Sequence, residues 1–115
     1  MTVEALWLAK FGDASAPATM QHGGVVILET QRIFGGDSAY AYTGNYSLAG
    51  NTITGSVSIS RHNPDPNFVD IWLTGEDELK FAFRGQLEGD QVAALLTHPN
   101  GQQIGLHLKR FRDLP

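Results

Sequence analysis

Apolar and polar residues alternate in three segments of the chain. In residues 52–60 the odd positions are Ile, Gly, Val and Ile, and every even position is Thr or Ser. Residues 79–87 carry Leu, Phe, Phe, Gly and Leu on one phase, and the alternation recurs in residues 104–109. Because successive side chains of a strand point to opposite faces of a sheet, the pattern predicts three antiparallel strands, each with one apolar face.

Shorter apolar runs predict further strands at residues 6–11, 25–30, 40–48, 68–73 and 92–96. Gly-containing turn sequences follow three of the predicted strands, at Ala49-Gly50-Asn51, Glu88-Gly89-Asp90 and Pro99-Asn100-Gly101. The run Phe34-Gly35-Gly36-Asp37 is interpreted as a specific turn, in which the glycines allow positive φ and the Asp side chain bonds nearby amides. No segment has the pattern of a helix.

Eight or nine strands joined mostly by short hairpins describe a meander. A sheet of this size leaves two exposed edges unless it closes on itself. We therefore predict one all-β domain over residues 1–115, a small antiparallel barrel of eight to nine strands. Gly55 and Gly85 fall in the inward phase, where we expect the strands to bend sharply.

Composition narrows the function classes. The chain has 115 residues, 13 of them Gly and none of them Cys, with a net charge of −4. The absence of Cys excludes a disulfide scaffold and a thiolate metal site or nucleophile. The acidic balance argues against nucleic-acid binding. We find neither a basic secretory leader nor an apolar membrane span, so we expect a cytoplasmic protein with no membrane partner.

Candidate catalytic groups are sparse. The four histidines (His22, His62, His98 and His107) share no zinc-site spacing, although a metal or haem ligand at His62 or His98 stays open. No Ser lies in a Gly-x-Ser-x-Gly elbow. The acidic run at residues 76–78 is expected to be a solvated hairpin cluster or else a protein-contact patch. Lys109, Arg110 and Arg112 could form a small basic patch, although we expect a solvated strand end. We therefore expect no catalytic residues, no metal and no cofactor, and do not expect an enzyme.

The inward phase of the alternating strands has two interpretations. The residues are either plain core or the lining of a cavity for a small apolar ligand. The candidate lining residues are Ile53, Val57, Ile59, Leu79, Phe81, Phe83, Ile104, Leu106 and Leu108.

The order of several short motifs resembles the GrlR-like family, the negative regulators of type III secretion and their bacterial relatives. The motifs are Leu6-Trp7, Gly23-Gly24-Val25-Val26, Phe34-Gly35-Gly36-Asp37, Tyr40-x-Tyr42-Thr43-Gly44-x-Tyr46 and Arg61-His62-Asn63-Pro64. The glycines and the Asp of the third motif, together with Tyr42 and Gly44, form what we call the family turn motif.

The resemblance implies a lipocalin-like barrel with an apolar cavity, a homodimer, and a regulatory or accessory role through contacts with a protein such as a transcription regulator. In the regulator that gives the family its name, the resemblance implies that an acidic hairpin makes this contact. The corresponding hairpin here, at residues 48–52, contains no acidic residue.

Overall fold

A computed structural model describes residues 3–16, 19–62 and 78–115. These residues form a closed barrel of eight antiparallel strands in chain order, in which the first strand also pairs with the last. The strands are β1 (Ala5–Gly12), β2 (Gln21–Glu29), β3 (Arg32–Gly36), β4 (Tyr40–Ala49), β5 (Thr52–Arg61), β6 (Glu78–Glu88), β7 (Gln91–Thr97) and β8 (Gln103–Arg112). The described residues thus confirm the predicted all-β fold, a small lipocalin-like antiparallel barrel.

The connections at the two ends of the barrel differ in length. At one end β2–β3, β4–β5 and β6–β7 are joined by two-residue turns. Gly50 and Gly89 have positive φ, at 61° and 60°, where a type II′ hairpin turn places its glycine. At the other end the connections β1–β2, β3–β4 and β7–β8 are longer. This second end forms the mouth of the barrel.

Strand β3 corrects one sequence prediction. Phe34, Gly35 and Gly36 lie within a strand that pairs with both β2 and β4, and only at Asp37 does the chain turn. The glycines of this segment are not among the residues with positive φ. The real hairpin turn lies earlier, at Thr30-Gln31, whose φ values are 48° and 63°. Neither residue type is favoured in such a turn, so the sequence carries no signal for it.

Inward-facing side chains fill the barrel. Trp7, Leu28, Ile53, Leu79 and Leu96 are at most 1% exposed. Burying a side chain of this size stabilises the fold by roughly 1.5–3 kcal/mol. The Trp7 indole nitrogen is also satisfied, because it donates a 3.0 Å hydrogen bond to the carbonyl of Val3.

Two sequence predictions lie outside the described residues. They are the strand at residues 68–73 and the first two positions of the acidic run at residues 76–78. Among the residues that are described, none belongs to a helix with the length and apolar character needed to cross a membrane.

Candidate functional site

The barrel encloses a small apolar cavity of about 40 Å³. A void needs roughly 10–15 Å³ on this measure to hold one water, and an apolar void of this kind stays dry. Ligand pockets usually measure roughly 300–1,000 Å³. The cavity is lined by Phe11, Val26, Leu28, Ile33, Tyr42, Ile53, Val57, Ile59, Phe83, Val92, Ala94, Leu96, Leu106 and Leu108.

The predicted lining residues separate into three places. Six of the nine, namely Ile53, Val57, Ile59, Phe83, Leu106 and Leu108, line the cavity. Leu79 and Phe81 are buried in the core, at 1% and 3% exposure, but are not among the lining residues. Ile104 is partly buried and lies in the wall of the mouth instead. Inward orientation therefore does not by itself identify the residues around the void.

Two aromatic rings close the cavity toward the mouth. Phe11 and Tyr42 line the cavity and meet edge to face, with ring centroids 5.7 Å apart. The Phe11 ring occupies the space above Gly23, where a Cβ would lie only 2.2 Å from it. Beyond Phe11 is an open depression of about 900 Å³ at the mouth, with both apolar and polar residues in its wall, among them Asp13, Gln102 and Gln103. The two rings therefore lie between the apolar interior and the mouth.

The β3–β4 turn is organised by Asp37. Its Oδ1 accepts hydrogen bonds from the backbone amides of Ala39 and Tyr40, at 2.8 and 2.7 Å. Its Oδ2 accepts a hydrogen bond from the Tyr42 hydroxyl. Both carboxylate oxygens are thus engaged within the turn, so the family turn motif has a structural explanation that requires no ligand.

The glycines of the family turn motif permit close approach of backbones. A Cβ at Gly35 would lie 2.1 Å from the carbonyl oxygen of Val25, and one at Gly36 would lie 2.8 Å from that of Tyr40. A Cβ at Gly44 would lie 2.1 Å from the carbonyl oxygen of Ser56. The motif thus combines a turn held by Asp37 with strands that cross too closely for side chains.

The environment of Tyr42 disfavours its ionised form. Burial contributes most, and the hydrogen bond to Asp37 adds to it, so the pKa of Tyr42 is raised far above its ordinary value. His62 ties the same turn to the end of β5: its amide donates to the Ala39 carbonyl at 2.9 Å, and its ring Nε2 lies 2.9 Å from the Asp37 carbonyl oxygen. These contacts tie the β3–β4 turn both to β4 and to the end of β5.

The remaining candidate groups do not converge. His98 stabilises the β7–β8 turn, because its Nδ1 accepts a 3.1 Å hydrogen bond from the amide of Asn100. The His107 ring lies 3.0 Å from the side-chain oxygen of Gln91 on the exposed surface. Lys109 forms an exposed ion pair with Asp90. In the part of the chain that the structure describes, no three His, Asp or Glu side chains are placed to hold a metal ion.

The outer surface of β1, β2 and β3 carries a cluster of apolar side chains. Strand pairing places Leu6 beside Ile27 and Ile27 beside Phe34 in one row, and Leu8 beside Val25 in the next. Val25 is 39% exposed, and the other four are partly exposed. We call these five residues the apolar face. Sequence reasoning missed it because β3 was interpreted as a turn, and only the register of three strands brings the five side chains together.

Comparison with known proteins identifies no relative: no family model matches the chain, and no curated protein matches its sequence.

Proposed function

We propose that the protein is a non-enzymatic regulatory or accessory protein of the bacterial cytoplasm that forms a homodimer and acts through protein contacts. The observation that carries the proposal is the apolar face on the outside of the barrel. An apolar surface that is contiguous over several residues and bordered by polar groups is typical of a protein interface. The bacterial and regulatory parts of the proposal rest on the resemblance to the GrlR-like family.

The barrel architecture favours contact through a face rather than an edge. A closed barrel has no unpaired strand with which a partner could extend the sheet. A partner must therefore pack on side chains, and Leu6, Leu8, Val25, Ile27 and Phe34 offer the apolar surface for it. Two such sheets pack about 10 Å apart with their side chains interdigitated.

Charges at the two ends of β1 support a second copy as the partner. Glu4 precedes the strand at one end of the apolar face, where its carboxylate accepts a 2.8 Å hydrogen bond from the Thr30 amide, and Lys10 lies near the other end. In a dimer whose two-fold axis runs across the strands, β1 of each copy lies over β1 of the other in the opposite sense. Glu4 then approaches Lys10 of the second copy, and symmetry repeats the pair.

The contact is assigned to the apolar face and not to the β4–β5 hairpin. That hairpin carries Leu48, Ala49, Gly50, Asn51 and Thr52, and none of them is acidic. The mode of contact proposed here thus differs from the acidic contact expected for the GrlR-like regulators. A transcription regulator that binds this protein would present an apolar surface, or would bind the dimer elsewhere.

Sedimentation equilibrium at micromolar concentration tests the dimer directly. The expected result is a particle of two chains of 12.5 kDa. A single-chain mass over the whole accessible concentration range would contradict it. Affinity capture from the native host tests for a further protein partner, with the wild type compared with a Val25→Glu variant. A partner that binds the apolar face should be retained by the wild type and lost with the variant. A protein retained equally by both does not use this face.

A second candidate function is transport or sensing of a small apolar ligand. The observation in its favour is the wholly apolar lining of the interior cavity, closed by Phe11 and Tyr42. At about 40 Å³ the void holds no molecule larger than a few atoms unless those rings move. Fluorescence of an apolar dye tests this function: saturable binding to the wild-type barrel at micromolar concentration would support it, and binding only after Phe11→Ala would contradict it.

A further inference from the structure

The outer surface of β4 and β5 differs from the apolar face in carrying mainly hydroxyl and amide groups. Pairing places Thr43 beside Ser58, Asn45 beside Ser56, and Ser47 beside Thr54. We call these six residues the hydroxyl face. They are exposed or partly exposed, whereas the residues between them in β4 and β5 point inward or are glycine. None of the six is charged.

Cationic side chains flank the hydroxyl face on both sides. Arg32 of β3 is in register with Asn45, and Lys80 and Arg84 of β6 are in register with Ser58 and Thr54. All three cations are exposed, and none forms an ion pair within the described residues. The strands β3 and β6 lie three inter-strand distances apart, so the backbone positions of Arg32 on one side and of Lys80 and Arg84 on the other are separated by ~14 Å across the face.

The carboxylates of β6 lie at its ends, and Glu29 of β2 is in register with Arg32 at the other border of the face. Glu78 is the first residue of β6 and Glu88 the last. Between them the outward side chains are Lys80, Ala82, Arg84 and Gln86. A face with this charge contrasts with the net charge of −4 of the whole chain. Its charge therefore complements an anionic ligand.

The surface over β3, β4 and β5 is a continuous shallow groove. One depression measures about 380 Å³, an adjoining one about 440 Å³, and Arg32, Asn45 and Ser56 line both. Phe34 lies at the edge of the second depression, with the Arg32 guanidinium 5.9 Å from the centre of its ring. The Arg32 Nε donates a 3.2 Å hydrogen bond to the Thr30 hydroxyl.

We propose that the hydroxyl face and the adjoining groove bind an acidic saccharide, with sugar hydroxyls on the hydroxyl face and carboxylates on Arg32 in the groove and on Arg84 at the β6 border of the face. Side-chain hydroxyls and amides both donate and accept, which matches the hydroxyls of a sugar. Arginine binds carboxylates through paired hydrogen bonds.

The same features disfavour the other polyanions. Binding of an extended peptide usually requires a sheet edge or an apolar groove, and neither is present on this face. Single-stranded nucleic acids are bound by successive stacked aromatic rings, whereas the rings that line these depressions are Phe34 and Tyr46, and Tyr46 is only 5% exposed. An acidic saccharide requires only hydroxyl partners and spaced cations.

Isothermal titration calorimetry with oligogalacturonate tests the proposal, with polyglutamate of equal charge and neutral dextran as comparison ligands. We expect saturable binding of oligogalacturonate and weaker binding of both others. Arg32→Gln and Arg84→Gln should each weaken binding about tenfold, the loss expected for one charge-assisted hydrogen bond. Arg112→Gln removes the same charge outside the groove and should leave the affinity unchanged.

The Asn45→Ala/Ser56→Ala double variant separates a saccharide site from a general anion surface. It should weaken oligogalacturonate binding while leaving any polyglutamate binding unchanged. Equal affinity for polyglutamate and oligogalacturonate, an equal loss with Arg112→Gln, or no saturable binding at millimolar concentration would each overturn the proposal. Arg84→Gln and the Asn45→Ala/Ser56→Ala variant change no residue of the apolar face and none that is paired in register with it, so a failed dimer prediction and a failed saccharide prediction are distinguishable.

Discussion

The Tyr42 hydroxyl donates a hydrogen bond to the Asp37 carboxylate and so joins β4 to the turn that precedes it. A hydrogen bond to a charged group contributes roughly 1.5–3 kcal/mol. We expect Tyr42→Phe to lower the free energy of unfolding by about 2 kcal/mol in urea titrations. Because Asp37→Asn weakens the same contact, the double variant should lose less than the sum of the single losses. Additive losses would show that the two groups do not interact.

The protonation of Tyr42 makes stability depend on pH in alkaline solution. Burial and the Asp37 hydrogen bond raise the pKa of Tyr42 in the folded protein. In the unfolded chain the phenol loses its proton near pH ~10, so above that pH the folded state binds more protons than the unfolded state. The free energy of unfolding therefore falls as pH rises above ~10, and is unaffected by this group well below that pH.

Urea titrations from pH 8 to pH 11 measure this effect as the difference between the wild type and Tyr42→Phe. The slope attributable to one phenol approaches ~1.4 kcal/mol per pH unit. Burial also raises the pKa of Tyr46, so the variant should keep a smaller dependence. Identical slopes for the two proteins would contradict the assignment to Tyr42.

Two glycines should respond differently to alanine. A Cβ at Gly44 would lie 2.1 Å from the Ser56 carbonyl oxygen, whereas one at Gly50 meets no atom within 4 Å and is disfavoured only by its φ of 61°. We expect Gly50→Ala to cost about 1–2 kcal/mol of unfolding free energy. Gly44→Ala should cost about 3 kcal/mol or more, because the strands must move apart. Equal costs would show that β4 and β5 adjust freely.

A larger side chain in the wall of the interior cavity tests whether the cavity has usable space. Val57 lines the cavity, and Val57→Ile adds one methylene to it. We expect a gain of about 0.8 kcal/mol in unfolding free energy, the value of one buried methylene. Val3→Ile is the control, because Val3 is 5% exposed and is not a lining residue. Only Val57→Ile should raise the free energy of unfolding. If both variants lower the free energy of unfolding, the cavity has no space for an added methylene.

Alternation along the chain predicted the strands with one clear apolar phase, such as β5 and β6. It failed at β3 because two residues with positive φ, Thr30 and Gln31, make a hairpin turn without Gly or Asn. Gly35 and Gly36 then added a misleading turn signal within a strand. Local sequence preferences cannot show that a glycine is present to let a neighbouring strand approach.

The candidate site was predictable only in part, because it depends on barrel closure. Inward phase identified Ile53, Val57 and Phe83 as interior residues, but the volume left between them follows from how side chains interdigitate across the barrel. The contact of Tyr42 with Asp37 depends on the geometry of the turn between them, and their five-residue spacing does not predict that geometry. The apolar face requires the register of three strands.

The central claim is that the apolar face forms the homodimer interface, and a matched pair of variants tests it most directly. Val25 and Leu95 are both 39% exposed on the outer surface of strands, but only Val25 belongs to the apolar face. The measurement is the dimer dissociation constant from sedimentation equilibrium. We predict that Val25→Glu raises it at least ~30-fold, as expected for loss of an interface hot spot, whereas Leu95→Glu leaves it unchanged. A wild-type protein that sediments as a single chain, or an equal effect of the two variants, would contradict the claim.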